Sequence, residues 1–332
     1  LIGSGERKIV VLSALSGTTN ALEELSKHLY AKESVPFKAK LNDLRARYIK
    51  FIEELYASQE SKAIAKEFIE AHMSHMEAFG KDMFTIYEER AILAQGELMS
   101  TALFNLYCEE KGISCALLPA LDFMRTNTNG DPDEYFIKVN LDRLIAEQPQ
   151  TNVFVTQGYI CRNAYGEIDN LKRGGSDFTA SLVGAAIEAD EIQIWTDIDG
   201  MHNNDPRVVD RTKPIKNLSF EEAAELAYFG AKILHPSSVR PAQDKNIPVR
   251  LKNTMAPEAY GTLISNESNR DSIKAIAAKD GITAIKIRSG RMLMAYGFLR
   301  SVFEVFEWYK TPIDMITTSE VAVSLTIDDL TN

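Results

Sequence analysis

The sequence predicts an α/β protein: a mainly parallel sheet sandwiched by helices, followed by a small α+β module. Three observations carry that expectation. Short apolar runs at Lys8–Ala14, Asn152–Thr156, Glu191–Thr196 and Ile247–Leu251 have the length and residue types of strands, the first patterned for burial on both faces. Helical stretches at Asp177–Ala189 and Phe220–Lys232 separate the later runs, which is the spacing of βαβ units. After Gly261–Ser265 the composition shifts through the polar stretch Asn266–Asp271 into a segment with its own pattern. Right-handed crossovers place the loops that follow strand carboxyl ends on one side of such a sheet, so chemistry is expected there.

Each element follows from its residues. Ser16–Asn20 reads as a turn and helix cap after the first strand. From Ala21 to about Tyr107 the pattern is helical, with mixed-sign charges and Pro36 as punctuation, which reads as a solvated helical lobe. Beyond residue 271 we expect strands at Ile273–Ala277, Ala284–Arg288 and Ala322–Thr326, with a helix near Phe298–Tyr309. The domains are therefore drawn at 1–268 and 269–332, the second too small to enclose much core alone.

Composition narrows the function. The chain has 332 residues, long enough for two domains. Its 37 basic and 47 acidic residues give a net charge of −10, which argues against a nucleic-acid partner. No run approaches the roughly 18 apolar residues of a membrane span, and Leu1–Arg7, which leads straight into the first strand, is not expected to be a signal peptide. Three cysteines, Cys108, Cys115 and Cys161, fit neither a disulfide framework nor a zinc pattern, so a reduced, cytoplasmic protein is expected. The sequence opens at Leu1 without an initiator Met and stops soon after a strand-like run, and we expect it to continue at both ends.

Four constellations could carry chemistry. Neither G-x-x-x-x-G-K-[ST] nor G-x-G-x-x-G occurs, so any phosphate cradle is of another kind. Lys172-Arg173-Gly174-Gly175-Ser176-Asp177 opens a helix: two glycines permit close backbone approach, Ser176 can cap, and Arg173 offers a fork for a carboxylate or phosphate. The alternative is a capped helix after a glycine turn. Thr196-Asp197-Ile198-Asp199-Gly200, running on to Asp205-Pro206-Arg207, suits a loop that meets nucleotide and Mg²⁺, or is simply an Asp-rich turn. On the helix Glu88–Tyr107, Arg90, Ala94, Glu97 and Thr101 share a face, as a structural ion pair or a substrate contact. Ser219-x-x-Glu222 is a capping box opening a helix whose last turn carries Lys232, placed either to complement the helix dipole or to meet a ligand. His72 and His75, three residues apart, lack supporting ligands and are read as surface; no metal site is expected.

Taken in order, these residues resemble the aspartokinases, within the amino acid kinase family. The resemblance rests on Ser13-Ala-x-Ser-Gly17-x-Thr19-Asn20, Gly96-Glu97-x-x-Ser100, Arg173-Gly-Gly-Ser-Asp177, Thr196-Asp197-x-x-Gly200, Asp205-Pro-Arg207 and Phe229-Gly-Ala-Lys232-x-Leu-His235-Pro236. Gly297-Phe-Leu299 and Thr317-Thr-Ser319-Glu320 resemble the family's regulatory ACT module. One departure is the family's opening strand and Lys-Phe-Gly-Gly loop, which is absent from these residues and expected upstream of Leu1; Lys8 does not take its place. The second ACT repeat is also largely absent.

The resemblance implies an amino acid kinase-like sheet with an ACT module, and transfer of the ATP γ-phosphoryl to the side-chain carboxylate of L-aspartate. Alternatives are a kinase of the superfamily acting on another substrate, or a non-catalytic amino-acid sensor. It implies that Arg173 binds an aspartate carboxylate, that Ser13, Thr19, Glu97 and Ser176 surround the substrate with Glu97 on its ammonium group, and that Asp177 organises the catalytic centre. Thr196, Asp197, His202, Arg207 and Lys232 would hold ATP, with Mg²⁺ as its counterion. Met292, Gly297, Phe298, Leu299, Asp314, Ser319 and Glu320 would bind an amino-acid effector, expected to be lysine. A homodimer or higher homo-oligomer through ACT is expected, with no membrane or nucleic-acid partner.

Overall fold

The computed structural model describes residues 6–81, 83–171, 174–205, 207–228, 234–267, 273–289 and 296–328. The chain divides into two compact units, Leu1–Ala275 and Ile276–Asn332. The first unit opens with strand β1 (Lys8–Leu12), then helices α1 (Thr18–Tyr30), α2 (Ser34–Leu55), α3 (Gln59–Ala78) and α4 (Ile86–Glu110). These four helices form the expected lobe. In α1 the buried residues Ala21, Leu22, Leu25 and Leu29 recur every three or four positions, and Phe37, Leu41, Leu44, Tyr48 and Ile52 do the same in α2. Pro36 sits in the first turn of α2, where its missing N–H costs nothing. Ser58 Oγ caps α3, and a reciprocal Thr85–Glu88 capping box starts α4. The lobe has its own core, which Met73, Met76, Met99 and Leu103 complete.

The chain continues through β2 (Cys115–Leu118), α5 (Ala120–Phe123), α6 (Glu134–Ala146), β3 (Val153–Gln157), β4 (Ile160–Arg162), β5 (Ile168–Asn170) and α7 (Gly175–Ala186). Strands β1, β3 and β2 form a parallel sheet in that order, with Leu12 opposite Gln157. β3 is buried at every position, whereas β1, at the sheet edge, is half-buried throughout rather than covered on both faces, and it ends at Leu12 rather than Ala14. A second sheet follows, built from β6 (Ile192–Thr196), β7 (Asn217–Ser219), β8 (Val249–Asn253) and β9 (Thr262–Ser265) in the order β6-β8-β9-β7. β6 and β8 are parallel and β8 and β9 antiparallel. Helix α8 (Phe220–Tyr228) starts at the predicted capping box, with Ser219 N donating to Glu222 at 2.7 Å and Glu222 N donating to Ser219 Oγ at 3.1 Å. The short helix α9 (Arg240–Asp244) completes this half. Helix α7 packs on both β1 and β6 and so touches both sheets.

In the second unit, β10 (Ile282–Arg288), α10 (Phe298–Trp308), β11 (Met315–Thr318) and β12 (Ala322–Asp328) give an antiparallel sheet of order β10-β12-β11. This corrects the expected strand order. Ile273–Ala277 forms no strand: Ile273 and Ile276 are exposed, and Lys274 is bound to Glu222 at 2.7 Å, which ties that stretch to the first unit. Met315–Thr318 is a strand despite lacking alternation, because pairing with β12, not burial, defines this exposed edge. His72 also differs from its surface reading. It is half-buried, and its Nδ1 lies 2.6 Å from Gln95 Oε1 on α4.

The lobe's separate core generates a prediction. Ile52→Ala, at a fully buried position, is expected to cost about 2–5 kcal/mol in urea unfolding. The neighbouring surface change Glu54→Ala, which loses one exposed 3.9 Å pair with Lys50, should stay within about 0.5 kcal/mol.

Candidate active site

The carboxyl ends of β1 and β3 lie side by side, and their loops, Ser13–Gly17 and Gly158–Tyr159, open at the same end of the sheet. Gly158 N donates to Leu12 O at 2.8 Å, which joins the two strand ends. Helix α4 crosses this end with its Gly96–Ser100 segment. A Cβ on Gly96 would stand 2.7 Å from the Cβ of Ala14, so only glycine lets the helix lie this close to the loop. Two contacts follow from that approach: Ser100 Oγ donates to Ser13 O at 2.7 Å, and Ala14 N donates to Glu97 Oε1 at 3.3 Å. Ser13 itself is exposed.

Glu97 is 4% exposed, and burial raises its pKa to about 7. Arg90, two turns earlier, is not its partner. It pairs with Asp169 of β5 at 3.1 Å and takes the structural role left open by the sequence. Beneath Glu97, Thr101 Oγ1 accepts from Gln157 Nε2 at 2.8 Å, and Gln157 Oε1 accepts from Ala120 N at the same distance. This buried network ties α4 to the end of β3. Tyr159, which follows Gly158, holds φ +64°, with its N–H donated to Thr179 Oγ1 of α7 at 2.9 Å.

Helix α7 brings its first turn to the same place. Gly174 and Gly175 both have positive φ, so the helix begins one residue earlier than Ser176 and that residue lies inside the first turn. Ser176 therefore makes no cap bond, which corrects the capping role expected for it. It packs instead against Gly158, where a Cβ would stand 2.4 Å from its own. Asp177 follows, with its pKa pushed up to about 6 by burial. Thus Ser13, Glu97, Ser176 and Asp177 are gathered around one strand end, with Thr19 exposed in the first turn of α1. Arg173 lies outside the described residues.

The expected nucleotide residues lie after β6. Thr196 Oγ1 accepts from Ile198 N at 3.0 Å, and Thr254 N donates to Thr196 O at 2.8 Å, which fixes the turn that carries exposed Asp197. His202 uses both ring nitrogens within its own loop, at 2.7 Å from Thr212 Oγ1 and 2.6 Å from Asp199 Oδ1. Arg207 forms a two-pronged pair with Asp205, at 2.6 Å from Nη2 to Oδ2, and holds the Asp205 carboxyl down near about 2. Lys232 lies outside the described residues. The sequence reading gave no role to Tyr159 or Gln157 and named Thr101 only as a neighbour of Glu97 on one helix face; the parallel pairing of β1 and β3 brings Gln157 beneath the site, where it meets Thr101.

In the second unit, Gly297 holds φ +83° at the start of α10, with Phe298 and Leu299 in its first turn. Asp314 and the pair Ser319–Glu320 lie just outside opposite ends of β11: Asp314 N donates to Thr326 O, and Ser319 N to Ala322 O. Asp314 and Glu320 therefore flank the four-residue strand β11 at its two ends, with roughly 13 Å of strand between them. Met292 lies outside the described residues.

The amino acid kinase family model matches residues 1–253. Aspartokinase 2, chloroplastic, of Arabidopsis thaliana is 36% identical across 97% of this chain and 61% of its own length. Lysine-sensitive aspartokinase 3 of Escherichia coli is 36% identical across 97% of this chain and 72% of its own. Solved aspartokinase III of E. coli, in complex with aspartate and ADP, superposes with a TM-score of 0.82 at 34% identity, covering 97% of this chain and 72% of that one. In complex with lysine and aspartate its TM-score is 0.79. The chain spans about three fifths of the length of the plant aspartokinases it matches. By its family model and its aspartokinase relatives, the chain belongs to the amino acid kinase family, in its aspartokinase branch.

Proposed function

We propose that the protein transfers the γ-phosphoryl group of ATP to the side-chain carboxylate of L-aspartate, giving 4-phospho-L-aspartate, the first step towards lysine, threonine and methionine. The observation that carries this reading is the match, over 97% of the chain, to an aspartokinase solved with aspartate and ADP. The buried Glu97 beside the α7 N-terminus supports it. A carboxylate acceptor is already ionised at neutral pH, so the site needs to position two anions and offset their charge rather than supply a strong base.

In this reading Glu97 takes the substrate's ammonium group, and Ser13, Thr19 and Ser176 surround the rest. Arg173 pairs with a substrate carboxylate as a bidentate fork. Asp177 organises the centre between substrate and nucleotide, and Thr196, Asp197, Arg207 and Lys232 hold ATP. Since both His202 nitrogens are engaged, that ring supports the loop and offers ATP only its face. Among the described residues no group of three or more His, Cys, Asp or Glu is placed to hold a metal. Mg²⁺, which keeps its waters and takes phosphate oxygens with one or two carboxylates, would meet Asp177 in this reading. Mg²⁺ offsets phosphate charge when bound.

The second unit is proposed to be an ACT module that binds lysine and inhibits the kinase. A second copy of the module would supply Asp314 or Ser319–Glu320 to a ligand held by the first, which favours a homodimer through this unit, with the effector at its seam. No helix among the described residues is long and apolar enough to cross a membrane, and the three cysteines are free; a cytoplasmic location is proposed with them.

Three outcomes test these proposals. The full-length protein should form a hydroxylamine-trappable acyl phosphate from aspartate and Mg-ATP; no hydroxamate above an aspartate-free control would reject the kinase reading. Glu97→Gln should raise the KM for aspartate about 10–100-fold, the worth of a charge-assisted hydrogen bond, and should also stabilise the fold at pH 8. In the unfolded chain this carboxyl titrates near 4.5, whereas in the folded chain it titrates near 7. Between those values the folded protein holds the extra proton, so stability falls as pH rises, and removing the charge should restore about 2–4 kcal/mol at pH 8. An unfolding midpoint unchanged at pH 8 contradicts this. For the ACT module, calorimetry should show lysine binding in preference to threonine and methionine, weakened about tenfold or more by Asp314→Ala. Threonine binding without lysine would overturn the effector.

A further inference from the structure

Helices α2 and α3 have no role in the reaction proposed above, yet one face of α2 reaches the loop that follows β1. Arg47 donates from Nη2 to Ser16 O at 2.8 Å. Its guanidinium lies over Gly17, where a Cβ would stand 3.3 Å from Nη2. The next residue, Tyr48, is 2% exposed, and its hydroxyl meets Thr18 Oγ1 at 3.3 Å. Thr18 has no exposed surface. With Thr18 turned inward at the start of α1, Thr19, about 100° further round the helix, is exposed.

The start of α1 needs such outside support. Its N-cap is Gly17, in the left-handed region at φ 73°, and no side chain caps the helix. Glycine gives the turn its shape but leaves it the most conformational freedom to lose. On one side α4 holds Ser13 and Ala14 through Ser100 and Glu97. On the other side α2 holds Ser16 through Arg47 and Thr18 through Tyr48. The Ser13–Thr19 loop is gripped from both faces, and the two grips come from helices far apart in sequence.

We propose that Arg47 and Tyr48 are positioning residues for the amino-acid end of the site: they hold the Ser13–Thr19 loop in the geometry that meets the amino-acid substrate, and the helical lobe thereby sets substrate affinity. This rests on the reading of Ser13 and Thr19 as substrate contacts. Neither side chain touches the reacting atoms. Arg47 is exposed, so its removal leaves the core intact, and Tyr48→Phe keeps the buried ring while deleting the hydroxyl.

The test compares aspartate and ATP kinetics in the full-length protein. Arg47→Ala should raise the KM for aspartate about 5–20-fold and Tyr48→Phe about 2–10-fold, the range for one lost hydrogen bond at a positioned loop. The KM for ATP should stay within about twofold and the melting temperature of Arg47→Ala should be unchanged, which a merely structural role would not produce. Arg47→Gln, which keeps a donor without the charge, should recover most of the loss. The aspartate Kd from calorimetry should follow the KM. If wild type is active and both variants keep the aspartate KM within about twofold, or shift both substrates equally, the inference fails alone. If wild type makes no acyl phosphate and binds no aspartate, the functional reading fails and this inference with it.

Discussion

Glu97 is 4% exposed and the hydrogen bond it accepts from Ala14 N is long, 3.3 Å, so burial outweighs what its carboxyl gains in return. Helix α4 holds Glu97 in that state. The helix can reach the strand-end loop because Gly96 lacks a side chain, and the same approach lets Ser100 fix Ser13. The network from Thr101 through Gln157 to Ala120 then anchors the helix to β3 from below. The site's geometry therefore depends on one close helix–loop contact, and the fold tolerates a raised carboxyl pKa there. In the proposed reaction the substrate's ammonium group would offset that deficit.

The proposed nucleotide end is built on the opposite principle. Asp205 and Arg207 satisfy each other, His202 is held between Thr212 and Asp199, and Thr196 closes its own turn. These are internal pairs that shape a loop in the absence of any ligand. Arg207 is exposed and could exchange its carboxylate for phosphate oxygens at modest cost, since exposed pairs are worth little.

Much of this was legible in the sequence because it rests on local rules. The capping box at Ser219–Glu222, the glycine turn before α7, and the strands at β3, β6 and β8 are set by neighbouring residues and read within a few positions. What was not legible rests on partners distant in the chain. β4, β5 and β7 have three residues each and become strands only through pairing. Ile273–Ala277 has strand-forming residues but no paired strand among the described residues, while Met315–Thr318 has a partner and little pattern. Arg90 could be given either of two roles until Asp169 was found opposite it. His72 looked like surface because Gln95, which binds it, lies 23 residues away on another helix.

Phosphoryl transfer tolerates little error in the separation of its two ends, since misplacement by about 1 Å can cost about 100-fold in rate. Helix α7 is the element that carries this constraint between the sheets. Its first turn packs Ser176 on Gly158 at the end of β3 and presents Asp177, and its body packs on β6, whose carboxyl end carries Thr196 and Asp197. Tyr159, held at positive φ with its N–H on Thr179, locks the β3 loop onto the same helix. Such a backbone conformation costs about 1–3 kcal/mol for a bulky residue and persists only where its surroundings over-determine it. Here they do: Thr179 is fully buried within α7, and Leu171 N donates to the Tyr159 carbonyl at 2.8 Å. The strain lies at the joint between strand end and helix, where a looser connection would let the amino-acid end drift relative to the nucleotide end.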